Sequence, residues 1–413
     1  MVTVLVILAI FLSFFCLFVF NKQHIAVLLV VIASNQMAPQ SYNLIYVISF
    51  TAILHFSYIF LESKNTKSLL LILLLPMAYI LTIYFIQPYK INIHHYLGYL
   101  STLFIFAWVT LIKWTSKEIV NFLSIYGSYL ILTGFIEKAT TDTMRVGSSL
   151  TVATAYAVVL VITWTIWLMI CSLEKIYTKK TIAFGTFLVF FAVIFSGTRM
   201  GLLGILIGLG LCGLATVFMK NKNINIIKIV PYFIGITALL IISSILVWNL
   251  LPNDLYIKKT FSTLITGKLD DSNMGRVLIW ISAINIFEDH KFLGIGPGNF
   301  PEKCKLFFAL NGIHRPIGVN THAHNIYLIM LSEHGLIGFL ILITFAFLCI
   351  SRVFLYFLKN RNSSIFYAFL AGFIVMATLG LVDATPMYLP TAGFAAWFFG
   401  TCASFKNTES NIC

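Results

Sequence analysis

The sequence predicts an all-α integral membrane protein of about 12 transmembrane helices with one large loop on the face away from the cytoplasm. Three observations predict it. Of 413 residues, 60% are apolar and only 10% charged, where a soluble domain carries about 25% charged residues. The mean hydropathy is +0.95, so most of the surface is suited to lipid. The cations fall in short breaks between apolar runs, at every second break, which is the positive-inside pattern of a polytopic chain.

A span needs about 20 apolar residues. Runs of that kind occur near 2–20, 43–61, 68–86, 96–113, 118–136, 150–173, 181–197, 200–219, 229–251, 325–350, 364–382 and 388–405, with a weaker one at 25–38. Residues 2–20 resemble a signal peptide, but no basic stretch precedes them and no small-residue cleavage site follows, so they are read as a retained helix. The breaks with Lys64 and Lys67, Lys113 and Lys117, Lys175, Lys179 and Lys180, Lys220, Lys222 and Lys228, and Arg352, Lys359 and Arg361 are expected in the cytoplasm. Breaks 87–95, 137–149, 197–200, 252–324 and 383–387 are then on the other side. The chain is expected to divide into a helix bundle over 1–251, a large outer loop over 252–324, and C-terminal helices with a short tail over 325–413. Within the loop, Arg276 to Phe287 is apolar on most faces and too short to span, so it is expected to lie in the interface or over the bundle mouth. Gly294 to Phe300 (GIGPGNF) reads as a tight turn.

The net charge of +13 does not indicate nucleic acid, because the cations form no stripe; membrane lipids are the partners it implies. The seven Cys are scattered without metal or redox spacing and read as small core-filling residues. Gly201, Gly204 and Gly208 read as a close-packing stripe.

Three cations depart from the orientation pattern. Arg145, Arg199 and Arg276 sit beside helix ends on the face that should be poor in Arg. Each could snorkel to headgroups; three on one side favour a shared anionic ligand, since the planar guanidinium grips phosphate bidentately and keeps its charge. Asn320-Thr321-His322-Ala323-His324-Asn325 precedes the run at 325–350. Residues two apart do not share a helix face, and no third ligand stands at a recognisable spacing, so no metal site is expected. A histidine there could be a general base, or it could cap the following helix; both readings stay open. His322, Asn325 and Asp383 are secondary candidates. Asp383, at membrane depth, needs a partner and could pair with an arginine. Glu333 and His334 fall inside the helix that follows, and His94 and His95 in an outer loop read as solvated.

GIGPGNF at 294–300, followed by THAHNIYLIMLSEHGLIGF at 321–339, resembles the hallmark of the O-antigen ligase and polymerase superfamily of bacterial envelopes. SGTRMGLLG at 196–204 resembles the preceding family motif. The Arg145 loop, and Gly275-Arg276 placed 48 residues before His324, resemble the ligase branch. The resemblance covers about residues 140–385. It implies a GT-C-like, multi-pass enzyme of the Gram-negative inner membrane, active at the periplasmic face without a cofactor. By that resemblance a glycan passes from an undecaprenyl-diphosphate carrier to the lipid A–core oligosaccharide. Arg199, Arg276 and His324 map onto the family's essential residues, and Arg145, less closely, onto a further cation for the diphosphate. One base and no nucleophilic carboxylate imply inversion at the anomeric carbon. The alternatives are an O-antigen polymerase, a protein O-oligosaccharyltransferase, and a lipid-linked glycan flippase or other transporter. The last would call for internal repeats, and none is visible.

Overall fold

A computed structural model of the chain describes residues 2–20, 22–35, 42–62, 93–141, 146–147, 150, 152–220, 271–312, 322–359, 364–383 and 389–405. The described residues are helical with no strand. The runs expected at 68–86 and 229–251 lie outside them, as do Arg145 and residues 313–321.

The remaining apolar runs all form helices, and the segment expected as the outer loop adds two more, within 271–310. They are α1 (Val2–Phe14, continued by a π turn Phe15–Val19), α2 (Gln23–Ser34), α3 (Tyr42–Glu62), α4 (Ile93–Leu111), α5 (Ser116–Thr140), α6 (Ala153–Glu174), α7 (Lys179–Ser196), α8 (Arg199–Lys220), α9 (Asp271–Asp289), α10 (Phe300–Leu310), α11 (Ile326–Lys359), α12 (Ser364–Leu379) and α13 (Leu389–Ser404). Among the described residues five, α5, α6, α7, α8 and α11, are long and apolar enough to cross a membrane. The chain is a multi-pass membrane protein.

Local chemistry sets the ends. α5 opens on a capping box: the Thr115 hydroxyl accepts from the Glu118 amide and the Glu118 carboxylate accepts from the Thr115 amide. Thr178 caps α7, which ends on Gly197 in the left-handed conformation. His94 and His95, expected in a loop, instead belong to the first turn of α4, because the apolar run behind them extends the helix back over both.

The chain forms two compact units, neither continuous in sequence: 1–114, 273–356 and 380–413 make the first, 115–272 and 357–379 the second. In the first, α4 packs on both α3 and α13, and α2 packs on α1 and α13. His55 of α3 is buried between the rings of Phe14 and Trp108. In the second, α6 is the hub, buried along most of its length against α5, α7, α8 and α12. α8 approaches α6 closely at its small residues. A side-chain carbon at Gly204 would stand 2.8 Å from Val161 and 3.0 Å from Leu379.

Overpacking that contact is expected to cost about 1–3 kcal/mol. Gly204→Val should therefore lower the midpoint of thermal or denaturant unfolding in detergent. Gly213→Val, on the same helix with open space at its side-chain position, should leave the midpoint nearly unchanged.

Candidate functional site

The first unit gathers its polar side chains at the head of α11. Asn325 is the cap of that helix: its Oδ1 accepts from the amides of Tyr327 (2.9 Å) and Leu328 (3.1 Å). Its Nδ2 donates to the Leu381 carbonyl at 2.9 Å, and the Ile326 amide donates to the Gly380 carbonyl at 2.8 Å. These bonds fasten the turn that carries Asp383 to the start of α11. With Asn325 as cap, the histidines are released from that duty.

His324 adopts the left-handed conformation, φ 48°, which costs a residue with a side chain free energy that its surroundings must offset. The turn brings His322 and His324 together off the helix. Their ring centroids lie 4.4 Å apart, edge to face, and the His324 amide donates to His322 Nδ1 at 3.2 Å. That amide bond fixes Nδ1 as an acceptor. Between them, Ala323 is buried and its carbonyl accepts from Trp280 Nε1 at 2.9 Å. Trp280 and Arg276 are one turn apart on the same face of α9. Arg276, expected beside a helix end, therefore stands within the second turn of α9, on the face that meets the histidine turn.

Electrostatics links the same residues. Burial pushes the His322 imidazole below its ordinary basicity, the carboxylate of buried Asp383 works against that, and the Arg276 guanidinium adds to it. His322 thus feels one anion and one cation directly, and the structure brings Arg276, His322, His324 and Asp383 into one neighbourhood.

That neighbourhood rests on a feature not anticipated from the sequence. α11 was expected as one continuous span, but it is interrupted at Gly335 (φ 63°, ψ −172°). A regular helix would pair the amides of Leu336 and Ile337 with the carbonyls of Ser332 and Glu333. Here Leu336 and Ile337 donate instead to Lys291 and Phe292, at 2.7 and 3.1 Å. Ser332 and Glu333 accept from Ile295 and Gly296, at 3.0 and 2.8 Å. The segment 291–296 is spliced into the helix and replaces two lost rungs. A side chain on Gly335 would run into the Phe292 carbonyl, and one on Gly294 (φ 68°) into that of Glu333. The Glu333 carboxylate completes the joint by accepting from the amides of Gly298 (3.0 Å) and Phe300 (3.2 Å), at the start of α10. An acid there offsets the positive end of the α10 dipole. Around the joint, Ile279 and Ile286 of α9, Phe300 and Phe308 of α10, Ala323, and Ile329 of α11 share one core.

Arg199 stands in the second unit. It is the first residue of α8, after a two-residue break in which the Ser196 hydroxyl bonds Thr198 Oγ1 at 2.9 Å and accepts from its amide at 3.3 Å. Val146 and Gly147 are each held by a neighbouring helix end. The Val146 amide donates to the Phe195 carbonyl at 3.3 Å, and the Gly147 amide to the Glu137 carboxylate at 3.1 Å.

Residues 184–343 match the protein family described as O-antigen ligase. Over that stretch the chain is similar to the O-antigen ligase and polymerase superfamily. The matched stretch holds Arg199, Arg276, both histidines, Asn325 and the whole spliced joint; Arg145 and Asp383 fall outside it. Members of that family are glycosyltransferase-like enzymes of O-antigen processing. No curated protein matches it.

Two outcomes test the geometry. Glu333→Ala strands two amides at the joint and should cost about 2–5 kcal/mol, read as a lower unfolding midpoint, with Glu333→Gln milder because its carbonyl still accepts. The His322 ring, followed by NMR, should titrate with a midpoint below 6.5. Asp383→Asn removes the anion that favours the imidazolium and should move that midpoint further down; Arg276→Gln should move it up.

Proposed function

We propose that the protein is an O-antigen ligase. It transfers a glycan from undecaprenyl diphosphate to a hydroxyl of the lipid A–core oligosaccharide, at the periplasmic face of a Gram-negative inner membrane. The observation that carries this reading is the pairing of a strained histidine turn with a permanent cation, inside the matched stretch: His324 held against His322, and Arg276 one helical turn from the Trp280 that pins them.

The acceptor hydroxyl attacks the anomeric carbon as the bond from that carbon to the diphosphate oxygen breaks. His324 takes the hydroxyl proton, a contribution of about 10²–10⁴-fold. The diphosphate leaves with its added charge offset by Arg276 beside the histidine turn; Arg199 and Arg145 are proposed as diphosphate ligands on the resemblance of their motifs alone. Guanidinium donors do this without a metal because they are held in place and stay charged. A single displacement inverts the anomeric configuration. The lipid carrier, the lipid-linked acceptor and the bilayer are the partners.

Deleting the gene and running the lipopolysaccharide on a gel tests the assignment. The ligase reading requires that all polymer disappear from the core while carrier-linked polymer accumulates. Core bearing one repeat would identify a polymerase, and loss of carrier-linked glycan from the periplasmic face a flippase. At the residue level, His324→Ala and Arg276→Lys should each lower transfer by at least about 10²-fold with the protein still in the membrane. Full activity in either variant removes that residue from its role.

A further inference from the structure

The second unit contains a groove that the transfer chemistry does not use. It has a volume of about 120 Å³ and is formed by the middles of α5, α6 and α7. Its floor is α6, with Leu160, Thr163, Trp164 and Trp167; its walls are Ser124, Ser128 and Ile131 of α5 and Gly185 and Leu188 of α7. Both indole N–H groups are committed elsewhere. Trp167 Nε1 donates to the Ser124 hydroxyl at 2.9 Å and Trp164 Nε1 to Thr186 at 3.2 Å. The two rings are therefore fixed, and what they offer the groove is carbon. Gly185 lets the Trp167 ring lie against α7, since a side chain there would meet the ring at 2.9 Å.

The groove opens between two spans whose outer faces are hydrocarbon surface. Ile125 and Leu132 on α5, and Phe184 and Phe187 on α7, are exposed. Its mouth, with exposed Ser128, is continuous with that face, so a hydrocarbon chain is the occupant the location supplies. The source follows from the same unit. Gly185 to Ser196 is one continuous stretch of α7, and the hairpin after it leads to Arg199. At about 1.5 Å per residue the groove lies on the order of 15 Å along the helix from that arginine. A lipid held by its diphosphate at Arg199 presents its own chain to the groove at a high effective concentration, which bulk phospholipid does not share.

We propose that this groove is a binding site for the isoprenoid chain of the lipid-diphosphate donor. The inference rests on the reading of Arg199 as a diphosphate ligand.

The test uses the full-length protein in nanodiscs and an undecaprenyl diphosphate with a photoactivatable diazirine about 15 Å along the chain from the phosphates. The expected label falls on 124–131 or 185–189. It is displaced by unlabelled undecaprenyl diphosphate and not by phosphatidylglycerol. It is lost in Ser128→Phe, which fills the mouth, and kept in Leu132→Phe, which adds the same bulk to the lipid face outside the groove. Ser128→Phe should also raise KM for the undecaprenyl-linked donor about tenfold. Label displaced equally by phosphatidylglycerol, label elsewhere, or label that persists in Ser128→Phe overturns the proposal. If Ser128→Phe does not accumulate, Ile131→Trp fills the same space from the next turn and is read in the same way. Transfer by Arg199→Ala reports separately on the diphosphate reading: undiminished transfer removes Arg199 from its role whatever the label shows.

Discussion

A membrane helix cannot be broken without finding new partners for the backbone groups the break exposes, because hydrocarbon offers none. α11 is broken at Gly335, and the first unit around it is organised to meet that demand. The amides and carbonyls of one missing pair of rungs are taken over by residues 291–296. The price is steric: both chains must come so close that only glycine fits at 294 and 335. What the joint provides is a rigid link between a segment far back in the sequence and the head of α11. α10 begins at that link, on the carboxylate of Glu333, and α9 packs against α10 and α11 through one core.

The histidine turn inherits its position from this link. Ala323 lies in the same core as Phe300 and Ile329, and Trp280 holds its carbonyl. Asn325 ties the other end of the turn to Leu381. A left-handed His324 costs on the order of 1–3 kcal/mol, and these neighbours over-determine it. Strain held by its surroundings is a property of sites where side-chain direction matters more than stability. The charges agree with that reading. Asp383 and Arg276 act on His322 in opposite senses, while burial, the largest influence, keeps the imidazole below its ordinary basicity.

The helices were legible because their signal is local: every described apolar run became a helix within about four residues of its expected ends, except α11, which runs nine residues past 350 to Lys359. Gly201, Gly204 and Gly208 were legible for the same reason, as a stripe at helical spacing. The joint was not, although both of its halves stood out. GIGPGNF reads as a turn and SEHGLIGF as helix, and nothing in either says that they pair across some 40 residues. Glu333 illustrates the gap. As an acid inside an apolar run it demands a partner, and a search among side chains fails because the partners are the backbone amides of Gly298 and Phe300. Likewise the helix period correctly excludes His322 and His324 from one face, while only a left-handed residue, which sequence does not announce at histidine, turns them toward each other.

Under the proposed function, Arg199 and Arg276 do different work from the cations in the breaks, which are lysines together with Arg352 and Arg361. Lysines in the breaks need only be charged and wet. Arg199 begins a helix after a two-residue break whose polar groups already bond one another, and Arg276 lies on a helix face directed at a packed turn. Both arginines are half-buried, and a buried point charge gives up its proton more readily than guanidinium does. A planar fork keeps its charge and fixes the orientation of what it binds. An anion that arrives within the membrane surface, and whose leaving step adds charge in a poorly hydrated place, is the ligand for which both properties are needed at once.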